Sequence, residues 1–236
     1  METTKDVSDE LAQSKVLTFD CYGTLIDWEA GLADSFLRIF GLAAEARMAD
    51  LFEAYVEEEA VEEAGPYQSY RKILAATVRR MADRFGWDSA GTRADFLADL
   101  LPQWRPFPDT NEALSRLKMR YRLGVLSNID RDLFAGTAKQ LDVRFDFVIT
   151  AQDVQNYKPN LAHFREALEQ VGGDGPILHV GQSLYHDGAA AAQLAIPFVW
   201  INRYRQQRGS DARTLAEYPD LRSLADAADV AATEGG

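Results

Sequence analysis

Five short apolar runs rich in β-branched residues punctuate the chain: VLTF at 16–19, LGVLSN at 123–128, FVIT at 147–150, ILHVG at 177–181 and FVWIN at 198–202. Each is a short apolar run, and such runs read as strands buried on both faces. Helical patterns separate the last four: RDLFAGTAKQL, LAHFREALEQV and DGAAAAQLA. Strand and helix alternating at this spacing predict βαβ units and an α/β fold, a doubly wound parallel sheet covered on both faces.

The stretch from about 29 to 105 breaks this rhythm. It is poor in strands and carries helical patterns such as SFLRIFGLA, RMADLFEAYVEEEA, YRKILAATVRRMADRF and DFLADLL. It ends at LPQWRPFPDT, whose prolines stop a helix and extend the chain. The pattern predicts an α/β core over 14–28 and 106–232, with an α-helical cap at 29–105 inserted after the first strand. Asp109 or Thr110 is expected to cap the helix TNEALSRLKMRY, and Asp187 to cap DGAAAAQLA. The tail AATEGG is expected to fray.

Composition narrows the partners. Lys and Arg number 25 against 37 for Asp and Glu, a formal charge of −12. Such a surface repels phosphate backbones and anionic lipid, so neither nucleic acid nor membrane is an expected partner. The one cysteine, Cys21, rules out an internal disulfide, and METTKDVSDELAQSK has no apolar leader. The reading is a soluble, cytoplasmic protein. Its oligomeric state is open, a homodimer included.

In open parallel sheets ligands bind at the carboxyl ends of the strands, where strand order reverses. Those ends carry Asp20, then Ser127-Asn128, then TAQDVQNYKP with Lys158, then GQSLYHD with Asp187. Two acids, a lysine, small hydroxyls and an amide are thus expected along one edge, under a helical roof.

These four loops, in this order, resemble the four motifs of the haloacid dehalogenase superfamily, and the likeness covers nearly the whole chain, including the cap after motif one. Motif one is Asp20 to Leu25, motif two Ser127-Asn128, motif three Lys158-Pro159, and motif four ends in Asp187. Phosphatase members carry an acid two residues after the nucleophile; this chain has Tyr22, as in the 2-haloacid dehalogenase branch. Members with FDCYGTLIDWE, FPDT, LSNID, TAQDV, YKPN and SLYHD also include an azetidine-2-carboxylate hydrolase.

The resemblance implies that Asp20 attacks the carbon next to a carboxylate, expels halide or amine, and forms an aspartyl ester that water hydrolyses. A carboxylate with an ordinary pKa near ~3.9 does this without a base, and the chemistry calls for no metal or other cofactor. Lys158 is expected to offset the charges of Asp20 and Asp187, and either His186 or Asp187 to activate water. Tyr22, Thr24, Ser127, Asn128, Ser183 and Arg71 are the candidate substrate contacts. Asn128 would take the leaving halide, as in the dehalogenases. The partners so implied are a small carboxylic acid and water.

Two departures stand out. Leu184 occupies the Asn position of the dehalogenases' motif four. The cap stretch AYVEEEAVEEAG has no arginine for halide or carboxylate, leaving Arg71 as a substitute by proximity. Glu57, Glu58, Glu59, Glu62 and Glu63 read as a solvated helix face, though a ring ammonium would gain from them. A 2-haloacid dehalogenase leads this reading. Ring opening of azetidine-2-carboxylate follows, then a Mg2+-dependent phosphatase, then a binding protein without catalysis.

Overall fold

The computed structural model describes residues 6–173, 175–207 and 213–234. Strands β1 (Val16–Phe19), β2 (Arg122–Ser127), β3 (Phe147–Thr150), β4 (Ile177–Gly181), β5 (Phe198–Ile201) and β6 (Ala216–Tyr218) form one parallel sheet in the order β3-β2-β1-β4-β5-β6. Phe19 at the end of β1 pairs with Val125 on one side and Val180 on the other, which puts the reversal of strand order at this central strand. The short edge strand β6, AEY, has no apolar run, because its residues are only partly covered. Its pattern therefore left it out of the five expected strands.

Helices follow the sheet in chain order. They are α1 (Val7–Gln13), α2 (Trp28–Phe40), α3 (Leu42–Glu45), α4 (Met48–Glu63), α5 (Tyr70–Phe85), α6 (Phe96–Leu100) and α7 (Thr110–Lys118). Then come α8 (Arg131–Thr137), α9 (Ala151–Val154), α10 (Ala162–Val171), α11 (Ala189–Gln193) and α12 (Leu221–Glu234). Successive strand residues enter opposite cores, as the pleat requires. Leu17, Phe19, Val125 and Val180 pack with Leu11, Leu114, Leu117 and Leu224 from α1, α7 and α12. Val16, Leu126, Ile149 and Trp200 pack with Phe164, Ala167, Ala190 and Ala191 from α10 and α11. This is why the strands lack alternation: both faces are dry. No described helix is long and apolar enough to cross a membrane.

Several local expectations change. Asp109 precedes α7 but makes no side-chain cap. Its carboxylate instead accepts from Arg203 (3.0 and 3.2 Å) and from the Leu221 N–H at 2.8 Å. The Arg203 side chain is accordingly drawn inward from the loop after β5. Asp187 does not cap α11: it sits inside a π-turn, Leu184–Gly188, that Ser183 caps. Residues 231–234 of the tail are helical, and the last two glycines lie outside the described residues.

Between β1 and α7 the described regular structure is helical, and α2, α4 and α5 bring side chains over the sheet edge at Asp20. Asp27 caps α2 by accepting from the Ala30 N–H. Gly31 of α2 lies directly under Trp104, whose indole N–H donates to Ser35 and whose ring meets Tyr22 edge-on at 5.9 Å. A Cβ at position 31 would stand 2.3 Å from the indole, so a side chain there must displace the ring. Gly31→Ala is expected to cost ~1–3 kcal/mol through overpacking. Thermal unfolding and Trp fluorescence would show a lowered Tm with an altered Trp104 environment; an unchanged Tm would refute the contact.

Candidate active site

Asp20 leaves β1 with its N–H on the Val180 carbonyl (3.0 Å), so it emerges between β1 and β4. The chain then turns sharply. Gly23 has φ +93°, a conformation that glycine adopts without strain, and its N–H donates to Ile26 O at 2.8 Å. This turn brings Thr24 back beneath Asp20. The Thr24 hydroxyl donates to Asp20 Oδ2 (2.8 Å) and accepts from the Gln182 N–H (2.9 Å), while Arg203 holds the Thr24 carbonyl. Thr24 is fully buried, so it orients the carboxylate rather than facing the cavity.

Lys158 spends all its ammonium hydrogens at the floor of the site. Nζ donates to Asp20 Oδ1 (2.8 Å), Asp187 Oδ1 (2.7 Å) and the Leu126 carbonyl (2.8 Å). Asn128 grips the Lys158 backbone from both sides, accepting its N–H at 2.7 Å and donating to its carbonyl at 3.1 Å. Burial alone would strip Lys158 of its proton, but the carboxylates of Asp187 and Asp20 override it and hold the ammonium well above the ordinary lysine range. Burial pushes the Asp20 carboxyl up, and the Lys158 charge works against that rise while Asp187 adds to it.

Asp187 is sealed from the cavity, fully buried, with His179 Nε2 3.3 Å from the same Oδ1 that takes Lys158. Burial would raise its pKa; Lys158 and then His179 reverse this and leave it well below the ordinary carboxylate range. The space between Asp20 and Asp187 is filled by the Lys158 ammonium, and Tyr22 stands where a further acid would be. No group of three acidic, His or Cys side chains suited to a metal occurs among the described residues. The donor set does not fit a divalent ion.

Above Asp20 opens a cavity of about 350 Å³. Ser127, Asn128, Ser183 and His186 line it with Asp20, and Tyr22 contributes its ring, since its hydroxyl is engaged with Thr137 at 2.8 Å. The Ser127 hydroxyl is buried without a partner, as a group meant for a ligand would be. Ser183 accepts the His186 N–H (3.0 Å) and meets its Nδ1 at 3.1 Å. Burial lowers the His186 pKa.

Two expectations fail here. Arg71 does not line the cavity; its guanidinium is taken by Asp99 (3.1 Å) and Asp132 (2.8 Å) on the surface. Nor is the glutamate run of α4 uniformly solvated. Glu59 and Glu63 line the cavity, Glu59 accepting from the hydroxyls of Tyr55 and Tyr70 at 2.5 Å each. Their spacing was the available signal: Tyr55, Glu59 and Glu63 recur every fourth residue and share one helix face.

A parallel α/β sheet with a polar cluster at its switch point and an inserted helical roof defines a Rossmann-like α/β protein with its ligand site at the strand ends. The chain belongs to the haloacid dehalogenase-like hydrolases, the family whose model matches residues 14–194. An (S)-2-haloacid dehalogenase of Pseudomonas putida is 28% identical over 146 residues, covering 59% of this chain and 63% of that protein, less than two thirds of its length. Among solved structures, an L-2-haloacid dehalogenase superposes with a TM-score of 0.79 at 23% identity, covering 92% of this chain and 99% of that one. The L-2-haloacid dehalogenase of Xanthobacter autotrophicus with chloropropionic acid covalently bound gives 0.77 at 17% identity, covering 90% and 97%. These likenesses establish the fold.

Proposed function

We propose that this hydrolase displaces a leaving group from the carbon next to a carboxylate, with Asp20 as nucleophile. The observation that carries this reading is the Asp20 carboxylate itself, held between Thr24 and Lys158 at the floor of a cavity. Lys158 keeps it ionised and Thr24 aims it. Asp20 Oδ bonds to the substrate carbon as the leaving group departs with its electron pair. Water then adds to Asp20 Cγ, the ester opens, and a hydroxy acid leaves. The unpartnered Ser127 hydroxyl and the spare amide hydrogen of Asn128 are suited to a small acid and its leaving group. With relatives that carry the haloacid dehalogenase name, a 2-haloacid is the leading substrate.

A second leaving group has its own support. Glu59 and Glu63 face the cavity, and the one cation among its described lining residues, Lys158, is already paired with two carboxylates. A ring ammonium such as that of azetidine-2-carboxylate suits such a roof better than a second anion does. A panel of 2-chloropropionate, haloacetates, L-azetidine-2-carboxylate and an aryl phosphate, with EDTA or Mg2+, separates these. Halide release unaffected by EDTA is the expected outcome; turnover of the cyclic amine alone would select the second reading. Phosphate release that depends on Mg2+ would overturn both.

A further inference from the structure

Asp130 stands at the N-cap position of α8, where an acid ordinarily accepts from its own helix, yet its side chain makes no such bond. The carboxylate serves another helix instead. Oδ1 accepts from the Tyr70 N–H and Oδ2 from the Arg71 N–H, each at 3.0 Å. These are the first two N–H groups of α5, and Ser69, at the cap position of α5, makes no side-chain bond to them. Asp130 is only 3% exposed. A helix of the roof is thus capped by a buried acid from the sheet edge.

What lies on either side of this contact gives it meaning. Asp130 ends the turn Ser127-Asn128-Ile129-Asp130 that leaves β2; Ser127 and Asn128 line the cavity, and Asn128 grips the Lys158 backbone. On the helical side, Tyr70 lines the same cavity and gives its hydroxyl to Glu59. The residue before Lys158, Tyr157, donates to the Gln68 carbonyl at 2.7 Å and stacks on Tyr67. The two chain ends of the helical segment run side by side: the Asp27 N–H donates to the Arg105 carbonyl at 2.9 Å, and Ile26 pairs with Pro106. A segment joined along one such edge can swing on it. Contacts away from that edge therefore set how its residues stand over Asp20.

We infer that Asp130 is a positioning residue for turnover: by capping α5 it holds the Tyr70–Glu59 pair over the cavity and ties closure of the roof to the Ser127-Asn128 turn. The inference rests on the reading of the Asp20 cavity as the site of reaction. Asp130 is not among the described residues that line that cavity, so it acts only through α5. Its effect falls on the share of molecules whose roof is docked. Apparent affinity drops in proportion to that share, whereas the chemistry within a docked complex does not change. Losing the cap should therefore raise KM and spare kcat.

Asp130→Ala tests this with whichever acid the wild type turns over. KM should rise by ~3–30-fold, the worth of a lost N-cap, with kcat close to the wild-type value. Asp130→Asn keeps an acceptor oxygen, and Asn caps about as well as Asp, so it should restore most of the affinity even if the alanine variant folds poorly. Asp132→Ala cuts only the exposed pairing with Arg71 and should match the wild type. Amide hydrogen exchange reads docking without any substrate. In Asp130→Ala, Tyr70, Arg71 and residues 55–63 should exchange faster, while β1, β2 and β4 stay as protected as in the wild type. Unchanged exchange at α5, or a lowered Tm with KM unaltered in the folded fraction, would overturn the inference. Absence of turnover by the wild type on every acid would instead remove the reading of the site, and exchange would still decide whether Asp130 holds the roof.

Discussion

Asp20→Asn should abolish turnover, by on the order of 10⁴-fold or more, while leaving the protein as stable as the wild type or slightly more so. The first half follows from charge: the amide is isosteric and still accepts from Thr24, but it is no nucleophile at carbon. The second half follows from linkage. The folded-state pKa of Asp20 is raised by burial, so its ionised form is a cost to the folded state above the unfolded value near ~3.9. Removing that charge also leaves Asp187 in sole possession of Lys158. Each kcal/mol regained would lift Tm by ~2–4 °C in a chain of this size. Steady-state rates and a melting scan on the same preparation decide it. Residual turnover above one part in a hundred, or a clearly lowered Tm, would mean that Asp20 is structural.

Lys158→Gln should be damaging on both counts. It removes the one cation shared by two carboxylates that are themselves buried. Breaking a buried ion pair from one side costs ~3–5 kcal/mol, because the abandoned charges stay out of water. In the wild type the Asp187 pKa is depressed, so its stabilisation is present above the unfolded carboxylate value and is lost only as pH falls through its much lower folded value. In the variant the two carboxyls repel in a dry site, and at least one acquires a raised pKa. Stability should then rise more steeply as pH falls from 8 towards 5 than it does in the wild type, where Lys158 opposes the rise of Asp20 and holds Asp187 low. Activity should fall with it, since a protonated Asp20 cannot attack. Denaturant unfolding at several pH values measures the slope, and a slope near zero in the variant would show that the pair does not depend on Lys158.

The chain is legible at the scale of elements and loops. β1, β2, β3, β4 and β5 announce themselves because a strand dry on both faces must be apolar at every position. Asp20, Ser127, Lys158 and Asp187 follow because parallel strands bring their carboxyl ends to one edge. What the sequence by itself determined is therefore the layer order and which loops meet. It did not determine what each polar side chain touches within that edge. Asp187 and His186 are neighbours in the chain, yet one is sealed behind Lys158 and the other faces the cavity, because a π-turn rotates them apart. Arg71 is drawn away by Asp99 and Asp132, which are distant in sequence, and Arg203 is drawn inward by Asp109. The glutamates of α4 divide between the cavity, which Glu59 and Glu63 line, and the arginines of α5, which take Glu57 and Glu58. Partner choice among charges depends on distances of a few ångströms between residues far apart in the chain, and only the tertiary structure fixes those.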